Sequence, residues 1–208
     1  MQYMRICWLL LILLLAGCAT TGTGTRLADV PNLIRLPLLR QATDHTCGVA
    51  TLQSILYYYG IEYREDRLAA KLHAEDYART DEIVRVAREE GLTVATRRNL
   101  TLPELRGYVD QAIPVMVCMQ AWSDTPTLEA YRNDWEDGHW VAVVGYDAAN
   151  IYVMDPSTLG NYAYVPAEEF DARWHDYDDD ITKPYLRFGI IITGKPVTYD
   201  PEAILRME

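Results

Sequence analysis

Cysteine is scarce, with four in 208 residues, too few for a disulfide scaffold. Basic charge is also short. There are 19 Lys+Arg against 30 Asp+Glu, a net charge of −11 and a pI near 4.8. General binders of nucleic acid or anionic lipid need a basic footprint to displace counterions, so both classes are excluded. A membrane-length apolar run is missing too. Ile6 to Ala16 has eleven apolar residues, and such a helix covers only about half of a ~30 Å bilayer core. No repeat or low-complexity block appears after residue 31. What remains is ordinary globular composition, 50% hydrophobic and 24% charged. That suffices for one well-buried core and not for several large domains.

One positive charge at Arg5, a short apolar run and then small residues form the layout of a secretory signal. The run ends in Leu15-Ala16-Gly17-Cys18, which resembles the bacterial lipobox. In such signals the Cys is lipid-modified and the preceding peptide removed. The expected organisation is a signal peptide over 1–17, lipidation at Cys18, a flexible tether over 18–31, one folded domain over 32–195 and a C-terminal tail over 196–208. A chain starting at Cys18 carries 18 basic and 30 acidic residues. Ala19 stands where a retention signal would have Asp. By resemblance to Gram-negative lipoproteins, that places the protein on the outer membrane, facing the periplasm. With Cys7 cleaved and Cys18 acylated, Cys47 and Cys118 are the remaining thiols.

In the folded body, Asn32 to Leu36 reads as a first strand closed by Pro37. Val49, Leu52, Leu56 and Tyr59 recur at helical spacing until Gly60. Glu62 to His73 and Asp81 to Glu90 read as amphipathic helices, and Leu92 to Thr96 as a short strand. Thr101-Leu102-Pro103-Glu104 supplies an N-cap hydroxyl, an early Pro and a capping-box Glu for a helix to about Ala112. Ile113 to Met119 suits a central strand. His139 to Tyr146, a turn at 147–150 and Ile151 to Asp155 form a hairpin. Tyr162 to Val165 and Leu186 to Thr193 are further strands. Helices first and strands later predict an α+β fold, a helical N-terminal half packed on an antiparallel sheet.

Gln41-Ala42-Thr43-Asp44-His45-Thr46-Cys47-Gly48 leads directly into the first long helix. A Cys in a first helical turn sees unpaired N–H groups and the positive dipole end, which favours the nucleophilic thiolate. Gly48 would let a substrate backbone approach the sulfur. Gln41, on the entering loop, could bring its amide beside the Cys47 N–H, and two such donors make an oxyanion hole. His139 begins one strand and Asp155 ends its partner. The intervening turn folds both to one end of the ribbon, where Asp155 can hold the imidazole toward the sulfur.

Gln41 with Cys47-Gly48, Tyr57-Tyr58-Tyr59-Gly60, the run Gly138 to Asp147 and Met154-Asp155-Pro156 together resemble the bacteriocin-processing cysteine peptidases. These are family thirty-nine of the cysteine peptidases, papain-like in fold. The resemblance covers roughly 32–195. It implies Cys47 as nucleophile, His139 as base, Asp155 as orienting acid and Gln41 as oxyanion donor, acting on a peptide or protein without a cofactor. Members that clip double-glycine leaders are fused to an ABC exporter. This chain carries no transporter segment, so a stand-alone, exported, lipid-anchored relative is expected.

Other readings use the same residues. Cys47 could be a small core residue or half of a disulfide with Cys118, which sits in an apolar run. The triad would equally serve an amidase or a transglutaminase-like enzyme, and a binding domain could keep the fold without catalysis. His45 is placed for substrate contact and His73 on the surface. His175 lies in an acidic stretch, 174–180, that reads as a solvated loop without metal-ligand spacing. Trp140 packs or contacts substrate; Trp122, Trp135 and Trp174 line a groove or pack. Gly189 to Pro196 nearly spells a phosphate loop, but Pro196 occupies its Ser/Thr position, so neither a nucleotide nor a metal is expected.

Overall fold

The computed structural model describes residues 26–158, 160, 162–177, 182–197, 204 and 206. The signal peptide and Cys18 lie outside them. In chain order the elements are α1 (Cys47–Tyr58), α2 (Glu65–Lys71), α3 (Thr80–Glu89), β1 (Thr93–Arg97), α4 (Leu102–Asp110), β2 (Val115–Gln120) and α5 (Leu128–Asn133). There follow β3 (Gly138–Tyr146), β4 (Asn150–Met154), β5 (Ala163–Pro166), α6 (Ala167–Arg173), β6 (His175–Tyr177), β7 (Pro184–Leu186) and β8 (Gly189–Thr193). Six strands form an antiparallel sheet in the order β1-β8-β2-β3-β4-β5, and β6 pairs with β7. This is an α+β, papain-like architecture.

Helix α1 buries Val49, Leu52, Ile55 and Leu56 completely and packs on β3. Gly60 ends it with φ +78°, a conformation glycine adopts without strain. Helix α2 starts three residues later than its pattern suggests. Gln53 Nε2 and the Tyr57 hydroxyl donate to the Tyr63 carbonyl at 2.6 and 2.7 Å, and Arg64 is extended, so the chain cannot coil before Glu65. The α4 start behaves as its sequence dictates: Glu104 N–H donates to Thr101 Oγ1 at 3.3 Å, and Thr101 N–H donates to Glu104 Oε2 at 2.8 Å.

Strand β2 is buried at all six positions and sits inside the sheet. The segment 32–36 is not a strand. Its would-be neighbour β3 is already paired with β2 and β4. Its tie to β3 comes at the bulge between Val143 and Gly145, where Ile34 N–H donates to Val144 O at 2.8 Å. A Cβ on Gly145 would come within 3.0 Å of Val30 and 3.3 Å of Leu33, which cross there. Of the stretch 174–180, residues 174–177 are likewise no solvated loop, and 178–180 lie outside the described residues. Trp174 is 1% exposed, its indole N–H donates to Phe188 O at 2.8 Å, and His175 is buried in β6.

Candidate active site

Cys47 is the first residue of α1. One turn later Thr51 donates its hydroxyl to the Trp140 carbonyl at 2.9 Å, a buried bond joining the helix to β3 beside His139. Ser54 donates to the Pro37 carbonyl and fixes the entering segment. These ties fix a helix mouth against a strand.

The hairpin supplies the imidazole. Asp147 Oδ1 accepts the N–H groups of Ala149 and Asn150, each at 2.7 Å, which closes the turn. The β3–β4 register pairs Ala142 with Met154. Continued along the ribbon, it makes His139 and Asp155 diagonal neighbours on one face. His139 Nε2 lies 2.7 Å from Asp155 Oδ1. The carboxylate also accepts Ser157 N–H at 2.9 Å, Ser157 Oγ at 2.9 Å and Thr158 Oγ1 at 2.6 Å.

With Nε2 on the carboxylate, Nδ1 is the ring nitrogen left to face the Cys47 thiol, whose ionisation the imidazole favours. Burial raises the Cys47 pKa, but the hydrogen bond and charge of His139, helped by the Trp140 and Gly48 backbone, bring it below the ordinary thiol value. Burial disfavours imidazolium, yet Asp155 and Cys47 together push His139 up to about 9. Burial also opposes ionisation of Asp155, and the bonds from His139 and Thr158 hold it well below the usual carboxylate range. Opposite shifts on adjacent groups favour the thiolate–imidazolium pair.

Gln41 sits on the entering loop. Its N–H donates to Pro156 O at 3.1 Å, which ties this loop to the residue after Asp155. Its Nε2 donates to Thr43 O at 2.9 Å, and its Oε1 is buried without a partner. Gln41, Trp122 and Ser157 line one cavity of about 380 Å³. The Trp122 ring stands 4.9 Å from the His139 ring and is 48% exposed, covering the imidazole from the solvent side.

One expectation requires correction here. Gly48 does not open the sulfur to substrate. A Cβ there would meet Ala78 Cβ at 2.8 Å and Trp140 Cδ1 at 3.1 Å, so the glycine is needed for internal packing. Trp140 is 9% exposed, fills that space and lines the cavity that holds Cys47. Cys47 and Cys118 are both free thiols rather than a disulfide. His45 is exposed and lines the Cys47 cavity. His73 is at the surface with Nδ1 3.0 Å from Glu82. The His175 ring lies against Trp135, with Nε2 2.7 Å from the Asp134 carbonyl.

Thr51, Ser157, Thr158 and Gln120 also build the site. Asp155-Pro156-Ser157-Thr158 carries a local signal, an Asx/ST-turn pattern that signs a fully bonded carboxylate. Gln120 is fully buried, donates to His175 O at 3.1 Å and accepts Asp137 N–H at 2.9 Å, fixing the approach to Gly138. Thr51 and Gln120 have no such signal, because their partners are 89 and 55 residues away.

A helix-borne thiol facing a strand-borne imidazole in an α+β frame defines a cysteine peptidase of papain-like fold. The model of the Peptidase_C39 like family matches residues 33–180, and the chain belongs to that family. It is a peptidase, a hydrolase of cysteine type. Three solved structures share its fold at 18% identity. A putative C39-like peptidase from Bacillus anthracis aligns with TM-score 0.60 over 81% of this chain and 98% of its own. The peptidase domain of Streptococcus ComA, a bifunctional ABC transporter involved in a quorum-sensing pathway, gives 0.57 over 77% and 100%. A double glycine motif protease from an AMS/PCAT transporter, in complex with the leader peptide, gives 0.55 over 79% and 94%. No curated protein matches the chain.

Proposed function

We propose that this peptidase cleaves peptide bonds in the bacterial cell envelope, anchored by a lipid on Cys18, with Cys47, His139 and Asp155 as its triad. The observation that carries the reading is the His139 imidazole held 2.7 Å from Asp155 beside a helix-borne thiol whose ionisation it favours. The thiolate attacks the substrate carbonyl carbon. The oxyanion is held by the Cys47 N–H and by the second amide hydrogen of Gln41, whose first goes to Thr43 O. His139 then gives its proton from Nδ1 to the leaving amine, and a thioester remains on Cys47. Water, deprotonated by the same nitrogen, attacks the thioester. This releases the acid product and returns Cys47 to thiolate and His139 to imidazolium. Asp155 holds the ring and stabilises its charged form throughout.

A peptide substrate agrees with the relative solved with a leader peptide. Envelope localisation rests on Arg5, the apolar run and Leu15 to Cys18. The test compares protein N-termini in the envelope of cells carrying the wild-type chain or Cys47→Ala. New N-termini should depend on Cys47. Identical sets from both strains would overturn the assignment.

A further inference from the structure

Beside the triad the cleft opens into a second cavity of about 380 Å³, and Cys47 is part of its lining. The reaction above makes no use of this space. Tyr77, Trp140 and Tyr177 give it aromatic walls, while Asp44, Glu136 and Asp176 give it three carboxylates. The one guanidinium in the lining, Arg79, is 3.2 Å from Asp81.

Asp176 is the most firmly placed of the three acids. Its Oδ2 accepts the Cys118 thiol at 2.7 Å and its Oδ1 accepts Tyr177 N–H at 2.8 Å. Its carboxylate lies against the Cα of Gly138, where any Cβ would overlap it, so the negative charge sits one residue from the base. Both of these donors are neutral. The rim adds to the negative charge: Asp137 is buried enough, and near enough to Asp134, Glu136 and Asp124, to be pushed above the usual carboxylate range.

Resting on the cysteine-peptidase reading, we propose that this cavity is a substrate subsite that selects an arginine or lysine beside the scissile bond, with Asp176 as the specificity-determining carboxylate. The aromatic walls receive the aliphatic stem and favour a cation over their faces, and the carboxylates receive its head. The neighbouring groove, which shares Arg79, Thr80 and Tyr185, mixes Arg85, Arg88 and Lys183 with Asp81 and Glu89, and Arg85 is itself paired with Glu89 at 2.8 Å, so it lacks the one-sided acidic character of this cavity. A double-glycine site would place no side chain here.

The experiment measures how fast the full chain is labelled at Cys47 by peptidyl vinyl sulfones. These differ only at the two residues next to the electrophile, which carry Arg, Lys, norleucine, Glu or Gly. At one of the two positions Arg and Lys should react about tenfold faster than norleucine, with Glu slowest, as a charge-assisted hydrogen bond would give. The Arg to norleucine ratio should approach unity in Asp176→Asn and return in Asp176→Glu. In the wild type it should also shrink with added salt, a readout independent of any variant's folding. Equal rates for Arg and norleucine, or a ratio indifferent to both Asp176→Asn and salt, overturn the subsite while leaving the peptidase intact. Failure of every probe to label Cys47 overturns the peptidase reading and the subsite with it.

Discussion

Cys47 and Cys118 line one cavity and are nearly equally hidden, at 8% and 4% exposure. Burial pushes both thiols up. At Cys47 the imidazole beside the sulfur reverses the effect, whereas at Cys118 the Asp176 carboxylate adds to it and drives the pKa well above the ordinary value. Burial is the largest influence on each sulfur, and the sign of the neighbouring charge separates the nucleophile from the hydrogen-bond donor. The largest effect expected follows from this contrast. Cys47→Ala should lower turnover by at least about 10³-fold, because the covalent route disappears. In the wild type at neutral pH, an alkylating reagent should modify Cys47 at least ~10²-fold faster than Cys118, read by peptide mass spectrometry. Comparable rates would break the comparison.

Asp155→Asn separates orientation from charge. The amide can still accept from Nε2, but the carboxylate that stabilises imidazolium is gone, so kcat should fall about ten- to a hundredfold. The pH profile gives the sign. The active form has Cys47 ionised and His139 protonated. Activity therefore rises with pH as Cys47 deprotonates, below the ordinary thiol value, and falls as His139 loses its proton near pH 9. Removing the Asp155 charge lowers the His139 pKa, so the descending limb of kcat/KM should move to lower pH. A limb that stays in place would show that some other group sets it.

The same contrast separates what the sequence reveals from what it hides. Cys47, His139 and Asp155 stand out because each carries a local sign: a helix start, a strand start and a turn after a strand. Chain order and one hairpin bring two of them together. Asp176 and Cys118 have no such sign. Their meeting depends on β6, a three-residue strand whose sequence, His175-Asp176-Tyr177, runs into an acidic stretch and reads as solvent-facing. The 32–36 segment fails for the opposite reason. Its residues suit a strand, yet it crosses beside β3, an inner strand already paired with β2 and β4, while the free edges of the sheet lie at β1 and β5. Gly48 shows a third limit, since a glycine beside a nucleophile invites a substrate explanation while its actual neighbours, Ala78 and Trp140, come from distant segments.

Trp122→Ala should produce a smaller change. The indole shields the face of His139 that looks toward solvent, and its loss admits water to the His139–Asp155 bond. Hydration weakens that bond electrostatically, so kcat/KM should fall by several-fold, with a shallower shift of the descending limb than in Asp155→Asn. KM changes alone, with the limb unmoved, would make Trp122 a substrate wall rather than a shield.

The smallest effect belongs to Thr51→Val. The hydroxyl is buried and its only described acceptor is the Trp140 carbonyl at 2.9 Å. Valine has nearly the same shape, so the change deletes one hydrogen bond and leaves that carbonyl without its partner, a loss of about 1–2 kcal/mol in unfolding free energy by denaturant titration. The bond also joins the helix that carries Cys47 to the strand that carries His139. If that join sets the sulfur–imidazole distance, Thr51→Val should slow Cys47 alkylation at neutral pH and leave the rate at high pH, where the thiol ionises without help, unchanged. Equal slowing at both pH values would mean that the helix has moved away from reagent and imidazole alike, and would assign Thr51 to stability alone.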